Sequence, residues 1–369
     1  MIFTGKMNDL NIINAQIPIN DGFLKVGISI KDGVITDINR PGKLRPSKVT
    51  IDADGAFIFP GFLDSFNRIR DPEDAIKSIR TYIKGGFIGA VYTVRCEDDI
   101  RIINEVKKFR FGFLIDYRAE RELKEKYQDK FLYFRIKSYD DLNELDKTGR
   151  NKRIFIDISD IANEVREEVK IIEKICKKAL QFRHVHVHPV TIVQGVRMIN
   201  KAKKSGIKIT CGTNIYNLIL NEKNAALIPD RFKNGLRIRA FTHSMLMVKS
   251  VRGGSIDVLG TGHSRENHLA SSSNQVLFNL VHKRKLLLKS VVNTLSVNPA
   301  KLFFNKRARV DVGEIADLTM IRMSKTHVLD GIYDKTVPRN VFSGWTVYGI
   351  VEGVIAKGNI LYLRGEYGD

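Results

Sequence analysis

Short apolar runs that alternate with helix-patterned segments constrain this chain more than any other feature. The runs are 90–94, 111–116, 130–136, 153–158, His184–His188, 207–211 and 256–261, with a further one ending at Asp64. Between them, segments such as 163–180 and 190–205 carry apolar residues at spacings of three and four, the period of a helix with one buried face. Strands separated by such helices pair in parallel through crossovers. Eight of them predict a closed (β/α)8 barrel, an α/β fold whose sites gather at the C-terminal ends of the strands.

The two ends of the chain have a different pattern. Residues 22–36 alternate apolar and polar around Asp32-Gly33, a hairpin signal, and 49–53 follow as another strand. After two candidate helices at 271–285 and 288–295, strand character returns at 317–321 and 345–362, with Gly353 and Gly358 expected at hairpin turns. Residues 1–55 and 318–369 are therefore expected to form one small β-sandwich from both termini, leaving 56–317 to the barrel. At 369 residues the chain is long enough for both.

The junction Phe59-Pro60-Gly61-Phe62-Leu63-Asp64-Ser65-Phe66-Asn67-Arg68-Ile69-Arg70-Asp71-Pro72 runs from a buried strand into a helix start, with Asp71 as N-cap and Pro72 in the first turn. Period-two geometry predicts Asp64, Phe66, Arg68 and Arg70 on one strand face. That helix is expected to run through Ala75, Ile76, Ile79 and Ile83 to Gly85-Gly86.

This junction resembles the first barrel strand of the dihydroorotase and hydantoinase branch of the amidohydrolase superfamily, where Pro-Gly-Phe-Ile/Leu-Asp leads into a His-x-His metal pair and then Arg-Asp-Pro. Further stretches are similar in the same order. Gly85-Gly86-Phe87 resembles the lead into strand two, Ser296-Val297-Asn298-Pro299-Ala300 the closing Ser-x-Asn-Pro-Ala, and Gly313-Glu314-Ile315-Ala316-Asp317-Leu318 the Gly-x-x-Ala-Asp-Leu. The resemblance covers nearly the whole chain and implies an amidohydrolase-type TIM-like barrel. In that family one or two divalent metals at the barrel mouth activate a hydroxide that attacks a cyclic amide, and an aspartate after strand eight shuttles the proton.

The positions that would carry this chemistry are altered. Phe66 and Arg68 stand at the two histidine positions of strand one; the first offers no lone pair and the second is a permanent cation. The aspartate after strand eight is Gly262, although His263 is retained. At strand two, Val94 replaces a substrate-contacting asparagine. Asp157 and His188 match ligand positions at strands five and six, and strand four offers Arg135 or Lys137. A family-type hydrolytic site, and hence any cofactor, is not expected; zinc enters only through a rebuilt site on His186, His188 and Asp157.

Two readings of Arg68 and Arg70 follow. They hold a small anion by bidentate hydrogen bonds, with Arg70 matching the family's substrate-carboxylate arginine, or Arg68 fills the vacated metal pocket and pairs with Asp64 or Asp157. The His184-x-His186-x-His188 strand is likewise either a metal site or a packed barrel layer. Arg265, Glu266 and His268 offer a further acid/base group that nothing in the sequence positions.

Bulk properties narrow the partners. The formal charge of +20, from 61 Lys+Arg against 41 Asp+Glu, favours anionic ligands or polyanions such as RNA or the ribosome. No nucleic-acid motif accompanies it, and the alternative is a basic solvated surface, as for the run His282-Lys283-Arg284-Lys285 and Lys289, Lys301, Lys306, Arg307 and Arg309. The expected role is a binding or scaffolding relative of dihydroorotase, with a pyrimidine-pathway partner such as aspartate transcarbamoylase by family analogy; homo-oligomerisation stays open. Cys96, Cys176 and Cys211 show no Cys-x-x-Cys spacing, so reduced thiols are expected. No apolar run reaches the roughly 18 residues that cross a bilayer, and 1–6 lack a signal-peptide layout, so a cytoplasmic location is expected.

Overall fold

β1 (Asn8–Ile19), β2 (Gly22–Lys31) and β3 (Val34–Asn39) form an antiparallel meander. Its second turn is Asp32-Gly33, where φ values of 49° and 77° supply the tight turn that an Asp-Gly pair favours. The computed structural model describes residues 7–19, 22–127, 132–144, 152–159, 161–227, 236–329 and 340–368. Lys130 and Phe131, placed in the fourth barrel run by the sequence, and the N-terminal residues 1–6 lie outside them.

β4 (Ser47–Asp52) and β5 (Phe57–Pro60) both pair in parallel with β1. The barrel follows. Its strands are β6 (Phe62–Asp64), β7 (Phe87–Val94), β8 (Arg110–Asp116), β9 (Tyr133–Ile136), β10 (Arg153–Asp157), β11 (His184–His188), β12 (Ile209–Asn214) and β13 (Val258–Gly260). All eight are parallel and stand in sequence order around the sheet. The ring closes just beyond β6 and β13, where Asn67 bridges His263. The Arg68 N–H donates to the His263 carbonyl at 2.7 Å, and the Gly262 N–H to the Phe66 carbonyl at 3.0 Å.

β14 (Leu318–Arg322), the two-stranded β15 (His327–Val328) and β16 (Thr346–Val347), then β17 (Ile350–Ala356), β18 (Asn359–Leu363) and β19 (Glu366–Tyr367) complete the chain. β14 pairs with β5, Leu318 opposite Pro60, so the two termini share one nine-stranded sheet. Leu10, Ile12, Ile28, Ile30, Ile58 and Leu318 are among its buried core. A second core joins the barrel strands to the outer helices, and a third fills the barrel with Phe66, Val91, Leu114, Tyr133, Phe155, Val258 and Phe303. The barrel is thus a packed interior, not a pore.

Several expectations change in detail. β6 ends at Asp64, so strand alternation does not carry to Phe66, Arg68 and Arg70, which lie on the loop beyond. Asp71 caps as predicted, accepting from the Glu73 and Asp74 N–H groups, but the helix is two pieces, Pro72–Lys77 and Ile79–Lys84, parted at Ser78. Gly358 makes a turn at φ 78°. Gly353 does not: it lies inside β17 opposite Met320, where an added Cβ would sit 2.8 Å from the Met320 methyl. The final helix runs Leu288–Val292, passes through a π-turn at Asn293–Val297, and resumes as Asn298–Phe303. Among the described residues all three cysteines are free, and no helix is long and apolar enough to cross a membrane.

Candidate functional site

The C-terminal ends of the barrel strands meet at the mouth, and the short β6 with the loop beyond it places Asp64, Phe66, Arg68 and Arg70 in different surroundings there. Asp64 is fully buried and turned to β13, its carboxylate accepting from the Thr261 N–H at 2.7 Å and the Thr261 hydroxyl at 2.8 Å. Burial pushes its carboxyl up to about 7, against hydrogen bonds from Thr261 and Phe66 that favour the anion. Asp64 therefore ties the two ends of the barrel together through Thr261.

Phe66 enters the barrel interior. Its ring stacks on His188 with centroids 4.4 Å apart and lies parallel to Phe155 at 6.2 Å. Glycines make the room. A Cβ at Gly260 would come within 2.5 Å of the Phe66 Cβ, and one at Gly212 within 2.2 Å of His188 Nδ1. His188 Nε2 meets the Asn214 amide oxygen at 3.0 Å, and His186 Nδ1 meets the Thr210 hydroxyl at 2.8 Å. Burial lowers both histidines, His188 to about 4 and His186 well below its ordinary value. His184 is lowered to about 3 by burial and by the Arg153 charge, and bonds the Tyr133 hydroxyl at 2.9 Å. The three histidines thus form part of an aromatic barrel layer.

Arg135, at the inward register of β9, occupies the centre. Its guanidinium contacts Asp157 at 2.6 Å and the Thr93 hydroxyl at 2.6 Å, and it lies 5.2 Å above the Phe66 ring. Both members of the pair are buried, at 6% and 3% side-chain exposure. Burial raises the Asp157 carboxyl, but the Arg135 charge and the Ser159 hydrogen bonds outweigh it and hold the group below its usual value. Arg135 thus supplies a guanidinium to Asp157, one of the two carboxylates considered for Arg68.

Arg68 and Arg70 instead border a cleft of about 50 Å³ with Thr93, Arg95, Asp116, Arg135, Lys137 and Asp157. Lys137 pairs with Asp116 at 2.7 Å, and Arg95 donates to the Arg70 carbonyl at 2.6 Å. The cleft is thus lined by Arg68, Arg70, Arg95, Arg135 and Lys137 with Asp116 and Asp157, of which Arg135 and Lys137 pair with those carboxylates and Arg95 lies 3.8 Å from the Asp99 carboxylate. Burial, with the Arg135 charge, lowers Lys137. His263 is elsewhere: it is fully buried, edge-on to Tyr82 at 5.1 Å and to His268 at 5.3 Å, and burial lowers it to about 3. His268 is tied to the Arg265 carbonyl at 3.2 Å. Val94 packs in the core outside the barrel, so Thr93, not Val94, presents the side chain of β7 to the mouth.

A divalent metal needs lone-pair donors converging at about 2.0–2.3 Å. Among the described residues no three His, Cys, Asp or Glu side chains converge in that way. Asp157 is committed to Arg135, one face of His188 is covered by Phe66, and the guanidinium would oppose a cation. At Gly262, φ is 68° and a Cβ would meet the Tyr216 ring at 2.8 Å, so this backbone leaves no room for an aspartate. These donors do not fit the family metal. Sequence reasoning missed Arg95, Asp116 and Thr93 as mouth residues; the usable signal was that Arg95, Asp116 and Lys137 each stand at or just beyond a strand's C-terminal end.

Similarity to known proteins is broad and low in identity. The chain is 22% identical to the dihydroorotase of Carboxydothermus hydrogenoformans, over 94% of this chain and 97% of that protein. It is 24% identical to the dihydroorotase of Clostridium botulinum, over 96% of this chain and 100% of that one. No family model matches. Among solved structures, the D-hydantoinase (dihydropyrimidinase) from Thermus sp. superposes with a TM-score of 0.82 at 18% identity, covering 98% of this chain and 96% of that one. The L-hydantoinase (dihydropyrimidinase) from Arthrobacter aurescens gives 0.83 at 18%, covering 98% of both. The chain is thus similar along its full length to dihydroorotases and shares the barrel-and-sheet fold of hydantoinases.

Proposed function

We propose that this chain is a dihydroorotase-like barrel that does not carry out metal-dependent cyclic-amide hydrolysis and acts as a binding protein, its mouth taking a small anionic group. One observation carries the reading: the Arg135–Asp157 pair, at 2.6 Å and almost fully buried, puts a permanent cation where the chemistry would require lone pairs around a metal. The Phe66–His188 stack supports it from the other side. The cleft of about 50 Å³ is far below the roughly 300–1,000 Å³ of ordinary small-molecule sites, so it suits a carboxylate or phosphate group and not a whole pyrimidine ring. A scaffolding role beside a protein such as aspartate transcarbamoylase extends this reading by family analogy alone.

The test is to incubate the purified protein with excess zinc, measure bound metal by elemental analysis, and assay interconversion of carbamoyl aspartate and dihydroorotate. No stoichiometric metal and no turnover are expected. Turnover that disappears in a folded His188→Ala variant would refute the proposal.

A further inference from the structure

At the end of the barrel opposite the mouth, a cavity of about 250 Å³ opens between the N-terminal ends of β6, β7 and β8 and the segment that leads from Phe304 to Asp317. Its floor is apolar, made by Leu63, Ile88 and Phe304, while its walls carry four cations, Arg110, Lys306, Arg307 and Arg309, against two carboxylates, Glu314 and Asp317. Arg110 is the buried member, 9% exposed. Its terminal nitrogen contacts the Asp317 carboxylate at 2.5 Å, but its Nε–H is buried with no acceptor among the described residues. Asp317 is further occupied by the Lys357 N–H at 2.8 Å. Lys306 is lowered by burial and by the Arg110 charge, the response of a cation in positive surroundings.

We propose that this cavity binds a small organic anion, a carboxylate or a phosphate monoester on a body of about one ring, with the charge on Lys306 and Arg309 in front of Arg110 and the body on Leu63, Ile88 and Phe304. Positive walls favour the anion, and charge-assisted hydrogen bonds to a guanidinium give it direction. An apolar floor that water solvates poorly favours a ligand with an apolar part over a bare ion. The volume is just under that of ordinary small-molecule sites, roughly 300–1,000 Å³, which limits the body to a single ring. The site shares no residue with the mouth cleft, so its failure leaves the mouth reading intact.

Isothermal titration of the full-length protein with benzoate and with phenyl phosphate tests it, with benzyl alcohol as the neutral ring and inorganic phosphate as the bare charge. At least one aromatic anion is expected to bind more tightly than either control, and the tighter of the two identifies carboxylate or phosphate as the preferred group. Exposed Lys306→Gln with Arg309→Gln should weaken it by about fivefold or more, whereas the distant, exposed Lys77→Gln should not. Ala308→Trp, which fills the cavity, should abolish it; if that variant does not fold, the glutamine pair decides. Binding that is unchanged in the glutamine pair, equal binding of benzyl alcohol, or binding of a short RNA oligonucleotide with no binding of either aromatic anion would each overturn the proposal, the last pointing to a polyanion surface across the neighbouring groove that shares Lys306 and Arg307.

Discussion

The contest at the barrel mouth is decided by Arg135. A buried guanidinium and carboxylate are each expensive to desolvate, and Thr93 and Ser159 offset part of that cost by hydrogen-bonding the pair, although the Arg135 Nε–H has no acceptor among the described residues. Arg135→Met should therefore cost about 3–5 kcal/mol, because it leaves Asp157 buried and unpaired. Arg135→Met with Asp157→Leu should return to near the parent stability, since an apolar pair replaces the ionic one. Urea unfolding followed by circular dichroism checks both, and a double variant as unstable as the single one would contradict the account. Phe66 and Gly262 are visible in the sequence as departures from a ligand pattern. Arg135 is offered there only beside Lys137, because the two stand two residues apart and strand alternation puts both on one face. The choice between Arg135 and Lys137 needed the neighbouring strands, which set Arg135 against Asp157 and Lys137 against Asp116.

Elements show where pattern suffices and where it does not. His184–His188 and the Asp32-Gly33 turn appear where their residues place them, since both signals are local. β6 is shorter than its apolar run suggests: its last residue is taken by Thr261 across the barrel seam, a contact 197 residues away that no local pattern encodes. The Ile79–Lys84 helix depends on a similar long-range contact. Gly85 follows it with an ordinary φ of −82°, yet an added Cβ would lie 1.9 Å from the Ala270 carbonyl oxygen at the start of the Ala270–His282 helix. Asn274 donates to the Gly85 carbonyl at 2.7 Å from that same helix. Gly85→Ala should thus destabilise by about 1–3 kcal/mol through overpacking, not through backbone strain. Thermal unfolding of that variant beside the exposed Gly42→Ala, where nothing lies within 4 Å, separates the two causes; equal effects would count against close packing of these helices.

At the scale of the molecule, the barrel and its terminal sheet follow from eight apolar runs and two strand-rich ends, whereas the placement of charge on faces required the fold. Four histidines, three of them buried and His184 partly so, give the whole chain a pH signature. His184 and His263 at about 3, His188 at about 4 and His186 well below its ordinary value are neutral when folded, but titrate near 6.5 when unfolded. Below pH 6.5 the unfolded chain binds these protons first, so stability falls on acidification. Asp64 works in the opposite sense: raised to about 7, it holds a proton in the folded state that the unfolded chain loses above about pH 4. Four groups against one leave a net uptake of about three protons on unfolding near pH 5, each worth about 1.4 kcal/mol per pH unit. The melting temperature should accordingly drop steeply between pH 6.5 and 5, and a flat or rising profile would show that the histidines are not buried as described.

The proposal that Phe66, Arg135 and Asp157 leave no metal site at the barrel mouth can be checked in crystals soaked in excess zinc and measured above the zinc absorption edge. No anomalous peak is expected within coordination distance of His186, His188 or Asp157; a strong peak there, with Arg135 displaced from Asp157, would refute the proposal.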